Sequence, residues 1–343
     1  MNPMTGKGAA LLHGVLLAGA IGSAGAIAGA ATVAGNGAAA FAQPHQLVDM
    51  GGRRLNLYCS GAGPVTVVFD ADGTNAGWTW HAVQPRVAAR ARSCIYDRAG
   101  FGFSDPSPLP ASADQAVQDL HQLLAKAGIA PPYVLVGNSY GGENVQLYAY
   151  RYPQDVAALM LVETGHEDQT ERLGAASQGK IKQLFAMYAE FVGQCAQAAA
   201  KGFQFGSDIY ASCTGGMGTV YGRELAAARL AVVSRPAHWQ AAVAEVSGYP
   251  TSDAQLRAAR RSFGDLPLVV LTRGVSPYAT PGEPPSALNK AVEAENYAMH
   301  HEIAALSTRS SHHVVPGAGH IIQEDKPGAV VQAVMEALKQ AGY

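Results

Sequence analysis

The residues with chemistry to offer are Ser139, Glu163 and His320, in that order along the chain. Ser139 lies in "VLVGNSYGGE", an aliphatic run that ends on Gly-Asn-Ser-Tyr-Gly-Gly. A serine hydroxyl is a weak nucleophile until a base takes its proton. A histidine is the usual base, and a carboxylate behind it fixes the ring and offsets the charge that forms. Glycine is abundant, 39 of 343 residues, so a Gly-x-Ser-x-Gly match means little without context. The context here is a strand-like run before the serine and a helix-like run after it, at the only such match in the chain.

His320 is the preferred base. It ends "VPGAGH", where glycines make a loop that exposes the ring. His121 falls in a helical pattern, and His300, His301, His312 and His313 come as adjacent pairs that read as polar surface. Two acids compete for the third place. Glu163 closes the apolar run "LMLVET", 24 residues after Ser139. A glutamate there is costly unless it is paired, and a partnering histidine supplies the reason. Glu283 is the acid of the loop after "LPLVVLTRG" and ranks second. Glu167 and Asp168, in "GHEDQ", read as solvated. Acyl transfer also needs two N–H groups aimed at the developing oxyanion. The expected donors are Tyr140 and, from the loop after "VTVVFD", Gly73 with Thr74 as the second choice. Asp72 is awkward beside that loop, because an ionised carboxylate would oppose an oxyanion.

These residues need elements to position them. "HQLVDMGGRRLNLYCSG" reads as two short strands around a Gly-Gly turn. Val65 to Phe69, "SCIYD", "YVLVGNS", "VAALMLVET", Leu266 to Gly274 and "HHVVPGAGH" read as further strands, the last ending at His320. "WTWHAVQPRVAARA", an amphipathic stretch capped by Ser112 and stopped at Gly128, "GGENVQLYAYRYP", "SALNKAVEAENYAMHHEIAALS" and a closing helix lie between and after them. Alternating strands and helices imply a mostly parallel sheet flanked by helices, an α/β fold with its ligand site at the carboxyl ends of the strands. The alternation stops at residues 165–262, which read as an inserted helical cap. The core is then 43–164 plus 263–343.

Composition sets outer limits. The chain is nearly neutral, 48% hydrophobic and low in charge, and no basic stripe points to nucleic acid. Its start carries Lys7, a long Ala/Gly/Leu/Val stretch and Ala40-Phe41-Ala42, the order of a secretory signal, so residues 1–42 are expected to be removed after Ala42. An uncleaved membrane anchor is the alternative. The expected location is secreted or periplasmic, and four cysteines in an exported chain suggest disulfides. No cysteine or histidine spacing suits a zinc site.

Taken together, "YDRAGFGFSDP", "LVGNSYGG" and "GAGHIIQEDKP" resemble the motif after the fourth strand, the nucleophile elbow and the histidine loop of the α/β-hydrolase superfamily. The resemblance covers about residues 47–341 apart from the cap. It implies an α/β-hydrolase fold in which the strands of Cys59 and Cys94 are neighbours, so that those two cysteines bridge; Cys195 and Cys213 would staple the cap. Haloalkane dehalogenases, which this layout resembles, place a glutamate at the end of the same strand as Glu163. Their nucleophile is an aspartate, so Ser139 argues against dehalogenation and epoxide hydrolysis. Asn138 departs from the histidine common at that place in the elbow. The expected function is a serine hydrolase acting on small-molecule carboxylic esters, with no metal or organic cofactor. The alternatives are an aminopeptidase-like amide hydrolase or a non-catalytic ligand-binding member. The cap's Phe185, Tyr188 and Phe191 fit its own core better than an acyl pocket.

Overall fold

The computed structural model describes residues 37–215, 221–280 and 282–343. Strands β1 (Gln46–Asp49) and β2 (Arg54–Ser60) form a hairpin. It turns at Gly51 and Gly52, with φ of 91° and 94°, a backbone region that costs glycine little. Then follow β3 (Thr66–Asp70), β4 (Arg92–Tyr96), β5 (Tyr133–Asn138), β6 (Val156–Val162), β7 (Leu268–Arg273) and β8 (Ser310–Val315). Among the described residues these make one eight-stranded sheet in the order β1-β2-β4-β3-β5-β6-β7-β8. The β1–β2 and β2–β4 pairs are antiparallel, and the pairs from β4 to β8 are parallel.

Helices cover both faces, and the strand residues alternate accordingly. Val67, Phe69, Val134, Val136 and Met160 join one apolar cluster, which includes Val87 of α1 (Gln84–Ala88). Val68, Leu135, Leu159 and Leu161 join the other, with Leu120 of α2 (Ala113–Lys126) and Leu147 of α3 (Tyr140–Arg151). The Ser112 hydroxyl caps α2 by accepting from Gln115 N at 3.3 Å. The stretch expected to form one helix at "WTWHAVQPRVAARA" is instead a 3-10 turn, Gly77–Trp80, followed by the short α1. Pro85 starts that helix, and Asn75 binds back to the Ala76 N–H and to the Trp78 indole to hold the turn.

Between β6 and β7 the chain forms α4 (Gln169–Ala176), α5 (Lys180–Ala200), α6 (Asp208–Thr214), α7 (Gly222–Val233) and α8 (Pro236–Ala259). A Cys195–Cys213 disulfide ties α5 to α6. The Cys59–Cys94 disulfide joins β2 to β4, where these residues are direct antiparallel partners with Cα atoms 4.1 Å apart. After β7 come α9 (Ala287–Ala304), and after β8 α10 (Ile322–Asp325) and α11 (Pro327–Gln340).

The expected leader falls mostly outside the described residues. Its last part, Ala38–Ala42, is a 3-10 turn whose Phe41 is buried against Tyr58 and His81. A cut after Ala42 would remove that ring from the core. Among the described residues no helix is long and apolar enough to cross a membrane.

Candidate active site

Ser139 stands between β5 and α3 with φ 53° and ψ −120°. Only a tightly built turn holds a non-glycine residue there. Its N–H donates to Val162 O at 3.2 Å, and its carbonyl accepts from Gly142 N and Gly165 N. The flanking glycines are required by contact. A Cβ on Gly137 would lie 2.2 Å from Gly141 O, and one on Gly141 would lie 2.4 Å from Ala71 O. This turn sets Ser139 in the lining of a pocket of about 300 Å³ at the carboxyl ends of the parallel strands.

His320 lines the same pocket from the loop after β8. The strand ends at Val315, five residues earlier than its expected end at His320, where Gly317 turns the chain with φ 69°. Asn138 holds this loop to the serine turn. Its Nδ2 donates to Val162 O at 2.8 Å and to His320 O at 3.3 Å, and its Oδ1 accepts from Gln323 at 2.9 Å.

Of the two competing acids, Glu163 is the one beside the histidine. Its Oε1 lies 3.8 Å from His320 Nδ1. That is ion-pair range, longer than a hydrogen bond. Glu283 is exposed in the loop before α9 and does not line the pocket. Glu163 follows β6 with φ 45° and is only 2% exposed. Arg273, at the end of the adjacent β7, donates its backbone N–H to Oε2 at 2.7 Å and its guanidinium to Oε1. Asn296 of α9 donates to Oε1 at 3.2 Å. Burial works to raise the Glu163 carboxyl, but the Arg273 charge and the nearby histidines hold it well below the ordinary carboxylate range. His300 does not sit on the surface as its pairing with His301 implied. It is buried, donates Nε2–H to Thr164 O at 2.8 Å, and lies 4.0 Å from Glu163.

Tyr140 and Gly73, the expected oxyanion donors, both line the pocket. Their N–H groups make no hydrogen bond to other described residues. Thr74, the second choice, is committed elsewhere: its N–H donates to Glu245 Oε1 of α8 at 2.5 Å. Glu245 also takes Arg98 Nε at 2.9 Å, while Arg98 Nη1 reaches Asp70 Oδ1 and Ala71 O, both at 2.7 Å, and Nη2 reaches Asp72 O at 2.7 Å. One buried arginine thus clamps the Asp70–Thr74 loop to the helical insertion. A Cβ on Gly73 would strike Tyr249 Oη at 2.2 Å, so the insertion presses on the loop as well. Asp72 is buried on the pocket wall. Asn75 approaches its Oδ2 at 3.3 Å, its Oδ1 has no partner, and burial pushes its carboxyl up.

Several residues of the site were not singled out in the sequence. Arg273, Asn296 and Glu245 carry no spacing signal, and Arg98 went unremarked within "YDRAGFGFSDP"; each meets its partner only through the fold. Glu167, expected in solvent, is buried against Arg260 at 2.6 Å. Phe185 and Tyr188 line the pocket, whereas Phe191 packs on Trp239 as expected of the insertion's own core. His166, Glu167 and Asp168 could group around a cation, with ligand atoms within 4.8 Å of one another, but Arg260 and Arg257 already pair with them.

Sheet order, strained serine turn and histidine loop define an α/β-hydrolase fold. A family profile described as alpha/beta hydrolase fold matches residues 72–213. A thermophilic esterase from Thermogutta terrifontis has the same fold, with 21% identity, a TM-score of 0.54, and coverage of 88% of this chain and 100% of that one. A 2-hydroxy-6-oxo-2,4-heptadienoate hydrolase from Pseudomonas putida is 32% identical over 124 residues, 35% of this chain and 45% of that protein. The uncharacterized protein YbdG of Bacillus subtilis is 26% identical over 140 residues, 40% of this chain and 43% of that protein. The chain spans less than half the length of these curated relatives.

Proposed function

We propose that this chain is an exported serine hydrolase of carboxylic esters, working through an acyl-enzyme on Ser139. The observation that carries the reading is the strained Ser139 turn sharing one pocket with His320, which has Glu163 behind it. His320 takes the Ser139 proton as the hydroxyl attacks the acyl carbon, and later returns it to the leaving alcohol. Glu163, kept ionised by Arg273, orients the ring and offsets the imidazolium charge. The Tyr140 and Gly73 N–H groups receive the oxyanion. The helical insertion serves as a cap that supplies the pocket wall from α4, α5 and α8. Water then attacks the acyl-enzyme by the same route in reverse. The reaction calls on no cofactor. The two disulfides support an exported location.

Hydrolysis of p-nitrophenyl butyrate by the purified protein, beside Ser139→Ala, tests this reading. The variant should lose about 10³-fold or more in kcat. Equal turnover by both proteins, or none by either, overturns the mechanism. Turnover of the matching anilide above that of the ester would move the reading to amide hydrolysis.

A further inference from the structure

The pocket carries carboxylates that the mechanism does not use. Glu143 lies one turn after Ser139 on α3, on the same face of the helix. It is 8% exposed and lines the pocket, yet its side chain has no hydrogen-bond or ion-pair partner among the described residues. Asp253 of α8 lines the same wall, half-buried and equally without a partner. Unpartnered buried acids are costly, so a fold keeps them at a price unless a ligand completes them. The one arginine in the pocket lining, Arg273, is taken by Glu163 and Glu293. Glu143 and Asp253 are therefore left with no cation among the lining residues to balance them when they ionise. Around them stand the rings of Phe185, Tyr188 and Tyr249. An aromatic wall with uncompensated carboxylates is the environment that binds an organic cation, because ring faces and anions both attract it while a hydrated metal ion finds few oxygens.

Building on the esterase reading, we propose that Glu143 and Asp253 form a subsite for a cationic nitrogen of the substrate, making the preferred substrates esters that carry an ammonium group a few bonds from the scissile carbonyl. Glu143 sits about 6 Å along the helix axis from Ser139, which matches that reach. The His166–Glu167–Asp168 group beside it is already paired with arginines and is not part of the subsite.

Isosteric substrates isolate charge from shape. The p-nitrophenyl ester of 4-(trimethylammonio)butyrate is compared with that of 5,5-dimethylhexanoate, and butyrylcholine with 3,3-dimethylbutyl butyrate, so that the cation is placed on either side of the ester. The wild type should prefer the cation about 10-fold or more in kcat/KM in at least one pair. The preference should fall to within twofold in Glu143→Gln/Asp253→Asn, and partly in each single variant, which carry the test should the double variant not fold. Glu283→Gln, a surface change, should leave the preference intact. Isosteres turned over equally by the wild type, or a preference that survives the substitutions, overturn the proposal while leaving the Ser139-dependent hydrolysis of neutral esters standing. Calorimetric titration with benzyltrimethylammonium separates the other failure: binding lost in the double variant, with no ester turned over by any form, sinks the esterase reading and keeps the cation subsite.

Discussion

Glu163 and Glu143 are the same residue type on the wall of one pocket, both buried, and the fold treats them in opposite ways. Glu163 accepts from Arg273 twice and from Asn296, with His320 nearby. Glu143 has no such partner among the described residues. The charges follow the contacts. The carboxyl of Glu163 is held far below its ordinary range by its cationic neighbours. That of Glu143 is pushed well above it, by burial first and then by Asp253 and Glu167. A carboxylate that the protein completes itself is a fixed part of the site. On the cation-subsite proposal, one that it leaves incomplete is completed by what enters. Burial alone distinguishes neither; the partner count does.

The comparison is tested hardest at Glu163. Glu163→Gln keeps the shape but removes the charge that steadies imidazolium and leaves Arg273 with Glu293 alone. We expect kcat to fall about 10³- to 10⁴-fold, with a stability loss of about 3 kcal/mol from the uncompensated guanidinium, read by urea denaturation. Glu143→Gln should instead leave stability unchanged or raised, since it removes a buried carboxyl that had no partner and whose ionisation burial disfavours. A similar stability loss in both variants would erase the distinction.

A pH series sharpens it next. Asp253 is pushed up to about 7, by burial against the opposing pull of Arg257. A group whose carboxyl is raised by folding binds its proton more tightly in the folded state, so its contribution to stability declines as pH rises toward the raised value. The melting temperature of Asp253→Asn should therefore gain on the wild type between pH 5 and pH 8. Over the same window the preference for a permanently charged substrate should grow in the wild type, because the anion that attracts it forms there. A preference that is flat in pH would remove Asp253 from the subsite.

Much of the fold was legible because strands buried on both faces write continuous aliphatic runs, as at Val134–Val136 and Leu159–Val162. The serine turn was legible for a different reason: a Cβ on Gly137 would strike the turn itself and one on Gly141 the end of β3, at distances no side chain tolerates, so both requirements appear as a spacing around Ser139. Glu163 was readable as a charge out of place in an apolar strand. Arg273 and Asn296, which set its ionisation, were not, since they come from a different strand and from a helix more than a hundred residues away. His300 misled for the same reason: a polar pair in a helix reads as surface until the sheet that covers it is known. Glu143 hid behind the pattern of the elbow itself, because the absence of a partner is a property of three dimensions.

Asp72 lies between the two cases and gives the smallest effect. It has one weak partner and one orphaned oxygen. Burial raises its carboxyl, while His320 and Asn75 pull the other way. During acyl transfer an ionised Asp72 would oppose the oxyanion at Gly73 but favour the charge on His320, and we propose that the two effects largely cancel. Asp72→Asn should therefore change kcat less than about threefold, within the range of a single hydrogen bond. It should also gain about 1 kcal/mol in stability by relieving an unpaired buried acid, roughly a 2 °C rise in melting temperature for a chain of this size. If kcat instead falls by more than 10-fold, the cancellation is absent and Asp72 acts with Glu163 on His320. The site would then be built on two acids with unequal partners.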